Sequence, residues 1–431
     1  MKIGTKPYLL IIAFHFPPLT GSSGIQRTLG FARHLHKYGW MPLVVSSNPK
    51  AYERTSDDLL NAIPESVFVK RAFALDTARH LSVRGRYFTW MAIPDRWVTW
   101  ILGAVPTGYL MMRKYRPEII WSTYPIASAH VIAWILHKLT GVPWIADFRD
   151  PMVEEDPRTG ELVPHNKLIR NVRLWIESLC VRYASRVIFC TNGAMQICKE
   201  RYPSISYDHL MVIPNGYDES DFEAISIDDA LEDQPNKPLI LLHSGIIYPT
   251  TDRDPSGLFD ALVLLRQKNK ISPSILRIIL RATGHDEYIR AMIRERHIED
   301  MVFIEPAIPY HSALSEMCKV DGLLVLQGYT SNPAIPAKVY EYLRAGKPIV
   351  ALVDPEGDTS VLLNSIGINY QAPLDDTELI ITALKEFIAN ATNKSKSNTT
   401  KYDTQMYTRA EGARILAGVL NVISKREKMN K

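Results

Sequence analysis

The chain has 431 residues, of which 46% are hydrophobic and 22% are charged, and its formal net charge is +4. This length is about twice what a single hydrophobic core supports comfortably, so two domains are expected. The composition is that of a folded globular protein. The small charge gives no reason to expect nucleic acid as a partner, although it permits contact with an anionic membrane surface.

The amino-terminal residues do not predict a targeting segment. The apolar run at 8–14 follows two lysines, but it is short and no small-residue cleavage pattern follows it. The longer apolar regions at 98–112 and 119–136 contain proline or polar residues, so neither predicts a transmembrane helix. The four cysteines form no C-x-x-C pair and predict reduced thiols of a cytoplasmic protein, with no metal site.

Short apolar runs alternate with helical patterns and form two series. The candidate strands are 8–14, 42–47, 119–124, 143–148 and 186–191 in the first series, and 239–245, 275–284, 301–306, 321–327 and 348–353 in the second. These runs are nearly continuous in apolar or β-prone residues, which is typical of parallel strands covered on both faces. The sequence therefore predicts an α/β fold with two domains.

The predicted domain boundaries follow from an acidic, turn-rich stretch between the two series. We assign 1–214 to an N-terminal domain, 215–238 to a linker and 239–404 to a C-terminal domain. Residues 405–431 are predicted to form a last helix, roughly 405–424, followed by a frayed basic tail.

The stretch HFPPLTGSSGIQRT follows the first strand and leads into a helix predicted at 24–38. Gly21 and Gly24 leave room for a close backbone approach, and Ser22 or Ser23 can cap the helix. A helix N-terminus presents free N–H groups and partial positive charge, so this junction is suited to a phosphate. The alternative is an ordinary surface turn.

A second helix with an unusual charge is predicted within NPAIPAKVYEYLRAGKPIVALV, with Pro336 at its first position. Lys338 would lie in its first turn, where a positive charge is unfavourable for an isolated helix but favourable for binding an anion. Glu341 would share that face and has two oxygens that can accept hydrogen bonds from sugar hydroxyls. The alternative is a solvent-exposed ion pair between the two residues.

Three further residues in the second series are candidate ligands of a diphosphate. Gly245 directly follows a predicted strand, Arg253 precedes a helix and Arg281 ends the next strand. An arginine can bind a diphosphate through two parallel hydrogen bonds. The alternative for each arginine is an ordinary surface ion pair.

Asp147 and Asp150 are candidate acceptor-side groups. Together with Arg149 they follow the predicted strand PWIADF, and the carboxyl edge of an open α/β sheet faces its ligand crevice. The alternative is a turn that begins at an aspartate before proline.

Taken together, these motifs resemble those of family-4-like glycosyltransferases. The similarity rests on FPPLTGSSGIQRTLGFARHLHKYGW, PWIADFRDP, VIPNGYDESDF, HSGIIY with RDPSGLFDAL, and PAKVYEYLRAGKPIVALV, in order, over about residues 8–420. The resemblance implies two Rossmann-like domains facing each other across a cleft, the GT-B fold. It also implies transfer of a sugar from a nucleotide diphosphate sugar to an acceptor hydroxyl.

The resemblance assigns roles to the matching residues. It implies that the loop Gly21–Gly24, including Ser23, approaches the donor diphosphate, and that Arg253 and Lys338 bind it. Glu341 would hold the ribose hydroxyls, and Gly245 would keep a turn open to the donor. The resemblance also implies retention of the sugar's anomeric configuration. The family's first glutamate, eight positions before Glu341, is Pro333 here, which leaves the identity of the sugar open and weakens the inference of retention.

The expected reaction needs no metal and no cofactor, because helix ends, N–H groups and cationic side chains can stabilise the leaving diphosphate. The expected acceptor is a glycan or lipid-linked glycan, in the synthesis of a surface polysaccharide or another glycan. Two stretches, 84–105 and 167–184, combine tryptophan with basic residues, which is suited to peripheral contact with an anionic membrane at the inner face of the cell membrane. The alternative is that both stretches simply pack on the N-terminal sheet. The alternative functions are a sugar-nucleotide epimerase of the same architecture and a non-catalytic sugar-nucleotide-binding protein.

Overall fold

The chain folds as two compact units. The computed structural model describes residues 6–223, 225, 237–250, 252–393 and 402–429. The N-terminal domain comprises the chain up to Gly216 together with the residues from Tyr407 onward, and the C-terminal domain comprises Tyr217–Met406. Each domain is built on an open, parallel sheet, so the predicted fold class of two Rossmann-like α/β domains is confirmed.

The N-terminal domain contains all the candidate strands of the first series. Its strands are β1 (Tyr8–Ile12), β2 (Met41–Ser47), β3 (Phe68–Ala72), β4 (Ile119–Thr123), β5 (Trp144–Arg149), β6 (Glu154–Glu155), β7 (Leu162–Val163), β8 (Arg186–Phe189) and β9 (Leu210–Val212). Its helices before the domain boundary are α1 (Ser23–His34), α2 (Thr77–His80), α3 (Trp100–Tyr115), α4 (Ser128–Thr140), α5 (Lys167–Tyr183) and α6 (Asn192–Arg201).

The N-terminal sheet is buried on both faces. Its order is β3-β2-β1-β4-β5-β8-β9, and every pairing is parallel. Alternate residues of β1 enter different cores: Leu10 and Ile12 pack with residues of α3 and α4, whereas Leu9 and Ile11 pack with residues of α1. The strand order reverses between β1 and β4, and open α/β sheets bind ligands at the carboxyl ends of the strands at such a point.

The C-terminal domain repeats this design. Its strands are β10 (Leu239–Ser244), β11 (Leu276–Arg281), β12 (Val302–Glu305), β13 (Gly322–Leu326), β14 (Ile349–Leu352) and β15 (Gln371–Ala372). Its helices are α7 (Glu219–Glu223), α8 (Ser256–Gln267), α9 (Asp286–Glu295), α10 (Tyr310–Lys319), α11 (Ala337–Ala345), α12 (Asp358–Ser365) and α13 (Thr377–Asn393). The parallel sheet has the order β12-β11-β10-β13-β14-β15, so its order reverses between β10 and β13.

The final helix, α14 (Arg409–Met429), belongs to the N-terminal domain. Its buried residues recur at helical spacing and pack in the same core as α1. A side chain at Gly30 of α1 would lie 2.6 Å from the Arg409 Cδ atom, so this glycine permits the close approach of the two helices. The Trp40 Nε1 atom donates a hydrogen bond to Asn421 Oδ1 at 3.0 Å.

Two local predictions were wrong. The predicted linker contains a helix, α7, because its buried Phe222 lies under the Arg344 guanidinium and Glu219 pairs with the same group. The predicted frayed tail is helical as far as Met429, and its Lys428 reaches Glu118 at 3.0 Å. Residues 224 and 226–236 of the predicted linker lie outside the described residues. Within the described stretches, no helix is long and apolar enough to cross a membrane.

The packing of α14 predicts that it is integral to the stability of the N-terminal domain. Leu416 is fully buried, so Leu416→Ala is expected to lower the free energy of unfolding by about 2–5 kcal/mol, through lost burial and a new cavity. Val422 on the same helix is exposed, and Val422→Ala should change it by less than about 1 kcal/mol. Urea denaturation measures both, and equal effects would contradict the packing of α14 described here.

Candidate functional site

The loop after β1 carries the candidate site residues of the N-terminal domain. Gly21 has φ +82, which favours glycine, and Ser22 is the N-cap of α1, its Oγ atom accepting a hydrogen bond from the Gly24 N–H at 3.3 Å. The backbone of Ser23 begins α1, but its side chain lies outside the described residues. The predicted junction of strand, glycine loop and helix is therefore present.

Two side chains occupy the space next to Gly24 that a Cβ atom would fill. A Cβ atom at this position would lie 2.7 Å from both Arg149 Nη1 and His15 Nδ1. The His15 Nδ1 atom also lies 2.9 Å from Ser22 Oγ. Burial, and then the Arg149 charge, lower the pKa of His15 to about 3, so its imidazole is neutral. The start of α1 therefore carries one guanidinium and one neutral imidazole.

Asp147 forms a buried ion pair that organises this edge of the sheet. Its Oδ1 atom accepts from Arg27 Nη2 at 2.8 Å, and its Oδ2 atom accepts from Arg27 Nε and Thr123 Oγ1, each at 2.9 Å. The Arg27 Nη1 atom also donates to the carbonyl oxygens of Ile213 and Pro214. Asp147 thus ties α1, β4, β5 and the segment after β9 together, and both of its oxygens are engaged.

Asp150 lies in a different environment from Asp147. It is partly exposed and follows Arg149, which has a left-handed backbone with φ +62 at an irregularity between β5 and β8. Burial raises the pKa of Asp150 against the opposing effects of Arg149 and Arg27. A carboxylate with a raised pKa binds a proton more readily than an ordinary aspartate, as a general base must.

The candidate site of the C-terminal domain lies where β10 ends beside α11. Gly245 has φ +124, and a Cβ atom there would lie 2.8 Å from Lys338 Nζ. The missing side chain therefore makes the space in which the ammonium lies. Pro336 is the N-cap of α11 and not its first residue, so Lys338 remains in the first turn, as predicted. Burial, and then Arg253, lower the pKa of Lys338 to about 7, against the opposing effect of Glu341.

Glu341 is held one turn further along α11. It is only 8% exposed, and its Oε1 atom accepts a hydrogen bond from the Tyr310 hydroxyl of α10 at 2.8 Å. Tyr342, the next residue, accepts at its hydroxyl from the Ser244 N–H at 3.0 Å. These contacts fix α11 against β10 and α10, with its N-terminus at the carboxyl edge of the sheet.

The two candidate arginines of the C-terminal domain differ in their contacts. Arg253 lies close to Lys338, whereas Arg281 pairs with Glu316. The Arg253 guanidinium donates to the Ile246 carbonyl at 2.8 Å, pairs with Asp252 at 3.2 Å and lies over the Tyr248 ring. Arg281 forms a two-pronged pair with Glu316 and donates to the Pro306 carbonyl at 2.8 Å. The Arg253 guanidinium can therefore still interact with an anionic ligand. Arg281 is less available, because Glu316 of α10 pairs with it.

Hydrogen bonds from Gln327 and from the start of α12 hold the segment that contains Pro333 in place. The Gln327 Nε2 atom donates to the carbonyl oxygens of Ser331 and Ala334, at 2.6 and 2.8 Å. The Asn332 carbonyl accepts from the N–H of Asp358, the first residue of α12, at 2.9 Å. The Asn332 side chain itself pairs with Asp354, so the amide at that position is already engaged.

The described parts of the chain include no group of three or more His, Cys, Asp or Glu side chains arranged to hold a metal ion. The two clusters, each at the carboxyl edge of its own sheet, instead combine helix N-termini with cations. Such an arrangement is suited to an anionic ligand such as a diphosphate.

Comparison with known families decides what the N-terminal domain is. Residues 23–216 match the sequence model of the glycosyl transferase 4-like domain. Residues 23–216 form a glycosyl transferase 4-like domain. The resemblance inferred from the motifs is thereby confirmed, and the chain carries a domain of a glycosyltransferase family. The comparison with curated proteins gave no match.

Solved structures resemble the whole chain in fold. Sucrose-phosphate synthase from Thermosynechococcus elongatus has a TM-score of 0.62 at 15% identity, covering 98% of both chains. HepE from Anabaena, in complex with UDP and glucose, has a TM-score of 0.58 at 17% identity, covering 98% of this chain and 99% of that one. A UDP-GlcNAc 2-epimerase from Neisseria meningitidis bound to UDP-GlcNAc has a TM-score of 0.54 at 12% identity, covering 96% and 99%. At these identities the likeness concerns the GT-B fold.

Four residues of the two clusters were missed as site residues by sequence reasoning. In the N-terminal domain they are His15 and Arg149. In the C-terminal domain they are Tyr310 and His243, whose Nε2 atom lies 3.2 Å from Lys338 Nζ. Two of them could have been found from sequence: His243 interrupts an apolar strand, and Arg149 lies between two candidate aspartates. Tyr310 had no signal, because its contact with Glu341 depends on how α10 packs.

The two aspartates of the glycosyl transferase 4-like domain are predicted to respond differently to neutralisation. Asp147→Asn leaves Arg27 buried without its charged partner, so the free energy of unfolding should fall by about 3 kcal/mol or more. Asp150→Asn replaces a carboxyl whose pKa is raised by burial, so it should cost less than about 1 kcal/mol. Urea denaturation measures both variants, and a larger loss for Asp150→Asn would refute the structural role of Asp147.

Proposed function

We propose that this chain is a glycosyltransferase that moves a sugar from a nucleotide diphosphate sugar to an acceptor hydroxyl. The observation that carries the proposal is the glycosyl transferase 4-like domain at residues 23–216. It is supported by a cationic cluster at the strand reversal of the C-terminal sheet, where nucleotide-type folds bind their ligands. The likeness to HepE, whose structure contains UDP and glucose, supports a nucleotide sugar as the donor.

In this proposal the C-terminal domain binds the donor. The diphosphate meets the N-terminus of α11, the Lys338 ammonium beside Gly245, and part of the Arg253 guanidinium. Glu341 accepts hydrogen bonds from the two ribose hydroxyls, with its other contact to Tyr310 fixing the carboxylate. Arg281 is the weakest of the predicted donor ligands, because Glu316 and a backbone carbonyl already engage it.

The chemistry asked of these groups is electrostatic. Breaking the bond between sugar and diphosphate places negative charge on the leaving group and partial positive charge on the sugar ring. Preorganised N–H groups and cations lower the energy of that state without reorganising during the reaction. The proposed reaction therefore uses no metal ion and no further cofactor. Retention of the sugar configuration stays a prediction, since Pro333 occupies the position of the family's first glutamate.

The acceptor is proposed to bind at the N-terminal domain, near Asp150. Asp147 has both oxygens in hydrogen bonds, which leaves Asp150 as the better of the two predicted acceptor-side groups. We propose a glycan or lipid-linked glycan as the acceptor, in synthesis of a surface polysaccharide or another glycan. The four free cysteines are in keeping with work in the reducing cytoplasm.

A sugar-nucleotide epimerase is the second candidate function, favoured by the likeness to the UDP-GlcNAc 2-epimerase. Such an enzyme would change its nucleotide sugar without an acceptor. A protein that only binds sugar nucleotides is a third candidate, motivated by Pro333. It would bind the donor without releasing a nucleoside diphosphate.

One experiment separates these three functions. The chain is screened by thermal shift against UDP-, GDP-, ADP- and dTDP-sugars, because a ligand of the folded state raises its Tm. Each nucleotide sugar that raises the Tm is then incubated alone and with glycan and lipid-linked acceptors. Glycosyl transfer predicts acceptor-dependent release of nucleoside diphosphate. An epimer formed without acceptor would identify the second function, and binding without either product the third.

Glu341 provides a direct test of the proposed ribose contact. Glu341→Ala removes a charged acceptor of hydrogen bonds, which commonly costs about 1.5–3 kcal/mol, so nucleotide affinity should fall by roughly ten- to a hundredfold. Calorimetry with the nucleotide found in the screen measures this loss. Glu378→Ala, at an exposed site on α13, is the control and should bind like the wild type. Unchanged affinity in a folded Glu341→Ala variant would remove this residue from the site.

Membrane contact, as proposed, is confined to one part of the stretch 84–105. Residues 83–90, called the tip below, are all exposed, and Val83 and Arg86 exchange backbone hydrogen bonds of 2.9 and 3.0 Å across a tight turn. Phe88 and Trp90 stack on each other and are 72% and 66% exposed, beside the exposed Arg84 and Arg86. Exposed aromatic rings among cations are suited to the interface of an anionic bilayer. Trp100, in contrast, is buried in the core.

The tip is predicted to bind vesicles that contain anionic lipid. Sedimentation with phosphatidylglycerol-containing vesicles should carry down the wild type, and phosphatidylcholine vesicles should not. Replacing both Phe88 and Trp90 by alanine should abolish that sedimentation. The matched control is Trp175→Ala, at a 48% exposed site on α5 in the other predicted stretch. If only the Trp175→Ala variant loses vesicle binding, the membrane-binding surface lies on α5 and the prediction for residues 83–90 is wrong.

A further inference from the structure

His243 is a fully buried titratable residue in the middle of the donor-side domain, and the proposed mechanism gives it no role. It lies in β10, an otherwise apolar strand apart from its last residue, Ser244. Both of its ring nitrogens have partners. The Nδ1 atom lies 3.0 Å from the Leu324 carbonyl oxygen of β13, and the Nε2 atom lies 3.2 Å from Lys338 Nζ of α11.

These two contacts fix the tautomer of the imidazole. A carbonyl oxygen can only accept, so the His243 Nδ1 atom must carry the proton and donate it to Leu324. The Nε2 atom is then unprotonated and accepts a hydrogen bond from the Lys338 ammonium. Burial, and then the Lys338 charge, lower the pKa of His243 well below its ordinary value, so the ring stays neutral.

A neutral acceptor has a consequence that a carboxylate at this position would not have. A carboxylate would pair with Lys338 and cancel its charge. The neutral imidazole fixes the position of the ammonium and leaves the full positive charge available to an anionic ligand. The other charged groups facing Lys338 are Arg253, which lowers its pKa, and Glu341, which raises it.

The surrounding backbone leaves the ammonium little freedom. Gly245 makes the space for Lys338 Nζ, and the Tyr342 hydroxyl holds the intervening Ser244 N–H. Three consecutive residues of β10 and its following turn therefore contact one face of α11. The remaining N–H groups of Lys338 can be used by a ligand at the carboxyl edge of the sheet.

We propose that His243 is a positioning residue, which holds the Lys338 ammonium in place, and charged, for the diphosphate of the donor. This inference rests on the proposed function for its ligand, whereas the coupling between His243 and Lys338 is testable without any ligand.

Two variants separate the two nitrogens of the ring. His243→Asn can keep the contact with the Leu324 carbonyl but loses the acceptor for Lys338. His243→Gln can place an amide oxygen near the position of Nε2 and so keep the acceptor, while it loses the contact with Leu324. Melting temperatures of both variants establish that each is folded and how much general stability each has lost.

The first measurement follows Lys338 itself. Trace acetylation at pH 5–10, read by mass spectrometry of the peptide that contains Lys338, gives the pH at which its amine becomes reactive. Loss of the acceptor makes the charged form less favourable, so in His243→Asn this pH should fall by about one unit. In His243→Gln it should stay within a few tenths of the wild-type value. An unchanged profile in folded His243→Asn would overturn the proposal.

The second measurement is the affinity for UDP, as a function of pH. At pH 7.5, His243→Asn should bind UDP about tenfold more weakly than the wild type, because less of its Lys338 is protonated. The deficit should shrink towards pH 6, where the ammonium is restored, and His243→Gln should bind within about threefold of the wild type. A deficit that is equal at both pH values and in both variants would indicate a merely structural role and overturn the proposal.

The two measurements distinguish failure of this inference from failure of the proposed function. If the wild type binds none of UDP, GDP, ADP and dTDP, the proposed function fails, while the acetylation profiles still decide whether His243 governs Lys338. If the wild type binds and both variants behave like it in both assays, nucleotide binding by this chain stands and the role of His243 is refuted.

Discussion

The candidate donor site depends on one interaction: the Lys338 ammonium lies beside Gly245, at the end of a parallel strand. An α/β domain brings helix N-termini and strand ends to one edge of its sheet, but helix ends alone supply only partial charges. In its protonated form Lys338 adds a full charge at that edge. A Cβ atom at position 245 would lie 2.8 Å from Lys338 Nζ, so Gly245 leaves room for the ammonium. The ammonium is partly desolvated, which makes it a stronger partner for an anion and also makes its charge costly until an anion arrives.

The N-terminal domain also places a cationic side chain at the edge of its sheet, but it does so through a buried ion pair. Its Arg27 and Asp147 neutralise each other inside the protein and hold α1 to β5 and to the segment after β9. A buried pair of this kind does more to define one arrangement of the elements than to add net stability. With that framework fixed, Arg149 and His15 are brought together over Gly24. Two glycines, Gly24 and Gly245, thus serve the same purpose in the two domains: each admits a cationic side chain.

The fold was predictable because its signals are local and repeated. Continuous apolar strands, each followed by an amphipathic helix, occur twice in the chain, and both series fold into sheets with the same pattern of strand order. The short strands β3, β9 and β15 escaped prediction, since they are held by pairing at or near the sheet edge more than by their own composition. Helix α7 was missed because its sequence is acidic and turn-rich, and its stability comes from Arg344, more than 100 residues away.

The candidate site was predictable only in part, for a similar physical reason. Gly245, Lys338 and Glu341 could be found from turn and helix patterns within single segments. The partners of these residues could not, because the contacts of Lys338 with His243 and of Glu341 with Tyr310 join separate elements. Arg281 illustrates the converse, since nothing near it in the sequence indicates that Glu316 of α10 would engage it. Local patterns indicate which residues can bind an anion, and tertiary packing decides which of them are available.

A crystal structure of the chain with a bound nucleoside diphosphate tests the central claim most directly. The account predicts phosphate oxygens within about 3 Å of Lys338 Nζ, at the N-terminus of α11, with Lys338 still in contact with His243. A diphosphate bound away from α11, or a Lys338 side chain that remains unengaged while the nucleotide is bound, would contradict it.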